Sequence, residues 1–312
     1  MARVLSTAFC VALLAATAVA FALTEGAKTE LSPIYRTSIT KVFSPTCNLA
    51  YCRTNEASIV FHLRKKQRIE VWIENHNGRK VATIVSGKTF PKGEVSLGFP
   101  GVGLDGVSVL PDGSYRPVIK LTGEHRTITL PNVIRIDATP PVVVSYTPKG
   151  YTHISPDGDG RNDVFHMRYT LNGPAHGVLL VGRTQVAFTR GQKLHGVMSW
   201  NGKFDGQVQP PGKYVLSIAA QDAAGNRSKP VPFIVVAIRF VALGRTSISV
   251  APRHRFAVFV LTDARTISWL FDRGRGTQLS HTLRLRAPRK PGTYQLFVTA
   301  SGHTARATVS VG

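Results

Sequence analysis

Apolar and polar residues alternate with a period of two along most of the chain beyond residue 38. The clearest run, Phe165–Leu171, alternates four apolar residues with three polar ones, and a shorter run spans Ile59–Leu63. A period of two places successive side chains on opposite faces, which predicts half-buried β-strands. No segment beyond residue 22 has a convincing helical period, so the pattern predicts an all-β protein.

A turn built from glycine with proline, or with aspartate and proline, leads into a tyrosine at three places in the chain. These tyrosines are Tyr115, Tyr214 and Tyr294, separated by 214 − 115 = 99 and 294 − 214 = 80 residues. The arrangement is typical of a tyrosine corner, in which the ring packs inside a β-sandwich and the hydroxyl bonds to the backbone upstream. Three such corners predict three sandwich domains.

The second unit carries further signatures in a fixed order. They are Ser155–Gly160, Asn162–Asp163, Trp200–Gly202, Asp205–Gly206, Gly212–Tyr214 and Asp222–Asn226. This combination resembles the FlgD-type immunoglobulin-like domain, found in the flagellar hook-capping protein and in many bacterial secreted and surface proteins. The first unit is similar more loosely, with Phe99 in the position of Trp200. The last unit resembles only a generic bacterial immunoglobulin-like domain.

The resemblance implies an all-β fold of three tandem immunoglobulin-like β-sandwiches after an N-terminal signal peptide, in an exported setting. It implies no reaction, because these domains serve as spacer, adhesion and sorting modules. The expected boundaries are 1–22 for the signal peptide, 38–137 and 142–236 for two FlgD-like domains, and 239–312 for a basic third domain. Pro140–Pro141 makes the first junction extended and stiff.

The N-terminus has the features of a secretory signal peptide. Arg3 precedes an uncharged run, Val4–Leu23, which ends in alternating small residues that favour cleavage after Ala20 or Ala22. The alternative is an uncleaved anchor, which would be the protein's one attachment to a membrane. Either interpretation places the remainder of the chain outside the cytoplasm, at the cell surface, in the periplasm or in the medium.

Two cysteines, Cys47 and Cys52, remain once Cys10 has left with the signal peptide. A pair of cysteines in an exported protein predicts a disulfide closing a short loop. Metal binding is the competing interpretation, but no zinc-type partner pair lies nearby.

The loop Asp157–Asp163 holds three of the chain's 17 acidic residues within seven positions. Two interpretations are open. Carboxylate and amide oxygens of Asp157, Asp159, Asn162 and Asp163 would suit calcium, which accepts six to eight oxygens in flexible geometry. Alternatively, the loop is a turn whose side chains bond to local amides.

The third unit is strongly basic. From residue 239 onward there are 12 Lys and Arg against 2 Asp, a net charge of +10 within a whole-chain charge of +22. Such a domain would attract an anionic cell-wall polymer or lipid headgroups. Nucleic acid is disfavoured in an exported protein with few aromatics beside its basic residues. The alternative is an arginine-rich composition with a solvated face. The candidate contacts are Arg253, Arg255, Arg284, Arg286, Arg289 and Lys290.

The sequence contains no catalytic motif, since none of the ten histidines stands in a metalloprotease or hydrolase pattern. We therefore expect an exported, non-enzymatic structural or adhesive protein of the bacterial cell envelope, with an envelope protein as a further possible partner. Two alternatives stand beside it. One is a binding module that recognises an anionic envelope polymer through its basic third domain. The other is an accessory subunit of a secreted hydrolase.

Overall fold

A computed structural model describes residues 9–21, 31–279 and 281–312. Residues 9–21 form a helix, and part of the expected signal peptide lies outside the described residues. Among the described residues, no helix has the length and hydropathy needed to cross a membrane. The chain divides into two compact units: Met1–Pro45 with Thr54–Asp137, and Thr46–Arg53 with Ala138–Gly312.

The first unit is a β-sandwich of two sheets. The smaller sheet has the order β1-β3-β6, and the larger has the order β2-β9-β7-β4-β5, with β8 on β7. Its strands are β1 (Ile34–Ile39), β2 (Val42–Phe43), β3 (Ala57–Leu63), β4 (Gln67–Glu74), β5 (Lys80–Phe90), β6 (Gly93–Phe99), β7 (Gly113–Leu121), β8 (Arg126–Thr129) and β9 (Ile134–Ile136). A single 3-10 turn, Thr122–Glu124, follows β7.

The core of this sandwich follows directly from the period-two pattern. Ile59, Phe61 and Leu63 are fully buried on one face of β3, and alternate residues of β4 face them from the other sheet. Phe99 is buried and meets the ring of Phe43 edge to face at 6.1 Å. Burial of these apolar side chains is the main source of the sandwich's stability.

The second sandwich is built around one long strand. Its strands are β10 (Val143–Thr147), β11 (Gly150–Ile154), β12 (Phe165–Val181), β13 (Thr184–Phe188), β14 (Lys193–Trp200), β15 (Lys203–Phe204), β16 (Gln207–Val208), β17 (Gly212–Gln221) and β18 (Val231–Ile238). The first half of β12 pairs with β10 and β14, and its second half pairs with β13 and β17. The register breaks between Thr170 and Ala175, so β12 contributes to both layers.

The third sandwich has a three-stranded sheet, β19-β21-β24, and a five-stranded sheet, β20-β26-β25-β22-β23. Its strands are β19 (Ala242–Leu243), β20 (Ser247–Val250), β21 (Arg255–Leu261), β22 (Ile267–Phe271), β23 (Gly274–Gln278), β24 (Thr282–Arg286), β25 (Gly292–Ala300) and β26 (His303–Val311). The two sheets enclose one hydrophobic cluster, whose fully buried members include Val260, Leu283, Leu296 and Val309.

All three sandwiches repeat one pairing. A short strand near the start of each lies parallel to the last strand: β2 with β9, β11 with β18, and β20 with β26. Each sandwich also encloses its own hydrophobic cluster. The prediction of all-β immunoglobulin-like sandwiches is therefore confirmed, although the second and third sandwiches form one compact unit.

The segment between the second and third sandwiches is held in place by burial and hydrogen bonds. Phe240 is buried, its ring stacks on His303 at 3.7 Å, and its carbonyl accepts a hydrogen bond from Thr262 Oγ1 at 2.7 Å. The amide of Arg239 donates to the carbonyl of Ile154 at 2.9 Å. The Arg239 bond extends the β11/β18 pairing of the second sandwich, and the contacts of Phe240 with Thr262 and His303 join that sandwich to the third.

Candidate functional site

The three-stranded sheet of the third sandwich presents arginines on its outer face. In the antiparallel pair β21/β24, Arg255 lies directly opposite Arg286, and Ala257 lies opposite Arg284. All four residues are exposed, while their neighbours along each strand turn inward or are partly covered. The small side chain of Ala257 leaves a shallow groove of about 590 Å³ between the guanidinium groups.

The two turns beside this pair bring the remaining predicted cations to the same end of the domain. Arg253 lies in the turn before β21, and Arg289 and Lys290 lie in the turn after β24. The turns are joined, because Arg253 N donates to the carbonyl of Pro288 at 3.2 Å. Arg286 Nε donates to the carbonyl of Arg253 at 2.8 Å, which fixes the direction of that guanidinium.

We call this surface the arginine face: Arg253, Arg255, Arg284, Arg286, Arg289 and Lys290. Within the part of the chain that the structure describes, none of the ion pairs involves these six residues. An aromatic ring lies further along the same strand, since Phe259 is 55% exposed opposite Thr282. The arginine face is thus a concentration of uncompensated positive charge beside an exposed ring.

The acidic loop of the second sandwich closes on itself. The carboxylate of Asp163 accepts hydrogen bonds from the amides of Gly158 at 2.9 Å and Gly160 at 2.8 Å. Asp157 and Asp159 accept from the amides two residues on, at 3.2 and 2.8 Å. These are the bonds of an Asx-type turn. The three carboxylates nevertheless converge, with one oxygen of each within 4.8 Å of the others, and Asp157 Oδ2 is buried without a hydrogen-bond partner.

The structure adds a residue to this loop that the sequence did not indicate. Asp263, from the loop after β21, accepts a hydrogen bond from Asn162 Nδ2 at 3.3 Å and is bonded to Ser155 Oγ. Its main-chain carbonyl faces Arg161 Nη1 at 3.4 Å. Nothing local in the sequence marks a single aspartate one hundred positions downstream. The side-chain nitrogen of Asn162, whose amide oxygen is the predicted calcium ligand, is therefore bonded to Asp263.

The three tyrosines occupy equivalent positions. Each hydroxyl donates to the carbonyl four residues upstream, with distances of 2.7, 2.8 and 2.9 Å for Tyr115, Tyr214 and Tyr294. Tyr115 is buried, whereas Tyr214 and Tyr294 are half-buried. Burial raises the pKa of Tyr115 and Tyr214 above the ordinary value of 10.0, so both hydroxyls stay protonated to a higher pH than that of a free tyrosine.

Trp200 anchors the core beside the second of these tyrosines. It is almost fully buried, and its Nε1 donates to the carbonyl of Lys203 at 3.1 Å. Its ring stacks on Phe204 at 6.0 Å and meets Tyr214 edge to face at 5.5 Å. The role of Trp200 is to hold the end of the sandwich together.

The disulfide Cys47–Cys52 is present and closes a loop that belongs to the second compact unit. The loop packs on the turn after β17. Gln221 Nε2 donates to the carbonyl of Tyr51 at 2.9 Å, and the guanidinium of Arg227 lies 4.4 Å from the centre of the Tyr51 ring. Cys52 packs closely on Gly225. A Cβ added to Gly225 would lie 2.3 Å from the Cβ of Cys52, which is too close for any side chain.

Neither family models nor curated proteins match this chain. Among solved structures, fibronectin(III)-like modules of Clostridium thermocellum CbhA match at 12% identity and a TM-score of 0.35, over 65% of this chain and 94% of theirs. The titin I-band fragment I67–I69 matches at 10% identity and a TM-score of 0.33, over 90% of this chain and 99% of the titin fragment. Bacteroides ovatus SGBP-B, solved in complex with a mixed-linkage heptasaccharide, matches at 12% identity and a TM-score of 0.25, over 91% of this chain and 71% of SGBP-B. Similarity at this level carries no information about a ligand or an activity.

Proposed function

We propose that this protein is an exported, non-enzymatic string of immunoglobulin-like modules that holds an anionic polymer of the bacterial cell envelope on its third domain. The observation that carries the proposal is the facing pair of Arg255 and Arg286, with Arg284 on the same face and no acidic partner for any of the three among the described residues.

Like charges directly opposite each other in a sheet are destabilising, so the pair has a cost for folding. One structural explanation is protection of a sheet edge, because β24 is an edge strand and charged side chains there discourage pairing with other chains. Edge protection needs one charged side chain, however, and does not require a second arginine facing it on β21. A bound anion would relieve the repulsion between the two guanidinium groups.

Guanidinium groups suit polymers of phosphate or carboxylate, because the planar fork of donors matches both anions with two parallel hydrogen bonds. The net charge of +10 from residue 239 onward would also steer an anionic polymer toward the third domain. Export of the chain, supported by the basic and apolar N-terminal pattern, would place the domain among such polymers. The FlgD-type pattern of the second unit supports the role of a spacer for the first two sandwiches.

Co-sedimentation of the mature protein with purified bacterial cell wall, at 50 and 500 mM sodium chloride, tests the proposal. We expect binding at low salt and its loss at high salt, because surface ion pairs are screened. Arg255→Gln with Arg286→Gln should weaken binding about tenfold, which corresponds to about 1.4 kcal/mol.

The matched control is Arg183→Gln with Arg190→Gln, which removes the same charge from exposed positions of the second sandwich. Equal loss of binding in both double variants would show an effect of net charge alone. Binding that is unaffected by salt, or absent from the unmodified protein, would refute the anionic-polymer function and favour a purely structural or adhesive role.

A further inference from the structure

The five-stranded sheet of the third sandwich, on the side of the domain opposite the arginine face, carries an ordered row of side chains. Leu270 on β22 pairs with Arg275 on β23 and with Phe297 on β25, and Phe297 pairs with Arg306 on β26. These four residues, which we call the transverse row, are all exposed on the outer surface of the sheet. Neighbouring strands are about 4.8 Å apart, so the backbones of Arg275 and Arg306, three spacings apart, are separated by about 14 Å.

The middle of the transverse row is apolar. Leu270 is 47% and Phe297 is 37% exposed, whereas their neighbours along each strand, such as Phe271 and Leu296, are buried in the core. Side by side on adjacent strands, the two side chains form one apolar strip with a guanidinium at each end.

A row of hydroxyl groups runs parallel to this strip, one pleat along the strands. Ser268 pairs with Thr277 and Thr299, and Thr299 pairs with Thr304. Thr299 Oγ1 and Thr304 Oγ1 share a hydrogen bond of 2.7 Å. The hydroxyl row, Leu270, Phe297 and Arg275 line a shallow groove of about 640 Å³, and Arg306 lies beside it as the partner of Phe297. The groove therefore offers apolar contact, hydroxyl donors and acceptors, and cations in a fixed order.

Both charged side chains of the transverse row are positive, and Arg275 is the charged residue that lines the groove. The acidic residues from 239 onward are Asp263, in the loop after β21, and Asp272, in the turn that joins β22 to β23, so neither is in the row itself. The carboxylate of Asp263 also accepts hydrogen bonds from Ser155 and Asn162. An occupant complementary to the groove therefore carries negative charge as well as hydroxyl and C–H surfaces.

We propose that the transverse row binds an acidic polysaccharide whose sugar rings carry carboxylates, that is, a polymer containing uronic acids. The C–H face of a pyranose ring would pack on Leu270 and Phe297, and its hydroxyls would bond to the row of serine and threonine. Arg275 and Arg306 would each take a carboxylate in the paired geometry that guanidinium favours. This site goes beyond the function proposed for the arginine face and is independent of it. A polyphosphate could use the arginines and the hydroxyls, but it has no C–H surface to pack on Leu270 and Phe297.

The test is affinity electrophoresis of the mature protein in gels containing polygalacturonate, fully methyl-esterified polygalacturonate or polyphosphate. We expect retardation by polygalacturonate and at least tenfold weaker binding to the esterified polymer, which keeps the rings but loses the charges. Leu270→Thr with Phe297→Thr should weaken binding to polygalacturonate at least tenfold and leave binding to polyphosphate unchanged. Threonine suits exposed strand positions, so this double variant should keep the melting temperature of the unmodified protein.

The matched control is Phe259→Thr, which removes an exposed aromatic ring from the other sheet of the same domain. Its binding to polygalacturonate should be unchanged.

Three results would overturn the proposal: no retardation of the unmodified protein by polygalacturonate, equal retardation of the Leu270/Phe297 variant, or equal loss in the Phe259 control. Loss of polygalacturonate binding only in the Arg255/Arg286 variant would assign the polymer to the arginine face instead. Binding to polygalacturonate without binding to polyphosphate or to cell wall would refute the function proposed for the arginine face and leave this site standing.

Discussion

Asn162 donates a hydrogen bond from Nδ2 to Oδ2 of Asp263 at 3.3 Å, although 101 positions separate the two residues in the chain. The same carboxylate bonds to Ser155 Oγ, so one aspartate of the third sandwich holds both ends of the acidic loop of the second. Asp263→Ala should lower the free energy of unfolding of the second compact unit by about 1–2 kcal/mol, because hydrogen bonds to a charged group are lost.

Urea unfolding followed by circular dichroism measures this loss. Asp272→Asn is the matched control, since it removes one negative charge from an exposed turn of the same sandwich and asparagine tolerates the left-handed backbone there. An Asp263→Ala midpoint no lower than that of the control would mean that the bond contributes nothing to stability.

The calcium prediction for the acidic loop is tested by metal addition. A site formed by Asp157, Asp159 and Asp163 would raise the melting temperature of the second compact unit in 5 mM calcium through mass action, at affinities of about a millimolar. Asp157→Ala with Asp159→Ala should abolish the response and leave the first unit unaffected. Identical calorimetric curves in calcium and in chelator would contradict the prediction and leave the amide-bonded turn as the whole role of the loop.

The tyrosine corner of the second sandwich predicts a small and specific cost for loss of one hydroxyl. Tyr214→Phe keeps the ring against Trp200 but leaves the carbonyl of Pro210 without its donor. The free energy of unfolding should fall by about 1 kcal/mol, the usual contribution of a hydrogen bond. Tyr35→Phe in the first unit serves as the control. An unchanged melting temperature in Tyr214→Phe would show that the hydrogen bond from Tyr214 to Pro210 does not stabilise the sandwich.

Local pattern was sufficient to predict the strands, the tyrosine corners and the disulfide, because each depends on residues close together in the chain. The alternation of Phe165–Leu171 predicted the buried face of β12 correctly. The same alternation could not show that β12 continues through Gly173 and Pro174 to enter the second sheet, since that depends on partner strands. Asp263 and the transverse row were missed for the same reason, because strand register creates both and no single segment contains them.

His153 should make the stability of the second unit depend on pH. Partial burial lowers the pKa of His153 most, the positive charge of Arg239 lowers it further, and Asp263 acts in the opposite direction. The unfolded chain therefore binds the proton more readily, so stability should rise as pH increases toward and past the ordinary value of 6.5 and level off above it.

Melting curves between pH 5 and 8 measure this dependence, and His153→Gln should flatten it. Asp263→Asn should steepen it, because the carboxylate that favours the charged imidazole is gone. A slope identical in the unmodified protein and in His153→Gln would assign the pH dependence to other groups.

The docking of the disulfide loop depends on Gly225, which has a φ of +90° and no room for a Cβ beside Cys52. Gly206 has a similar φ of +81° but open space around it, so alanine there costs only the backbone strain. Gly225→Ala should therefore destabilise the second unit by more than Gly206→Ala, because the loop Thr46–Arg53 must also move away from the turn. The two losses should become equal when Cys47 and Cys52 are both replaced by serine, if release of the loop relieves the clash. Equal losses in the disulfide-bonded protein, measured by urea unfolding without reductant, would show that the loop rests on the turn without stabilising it.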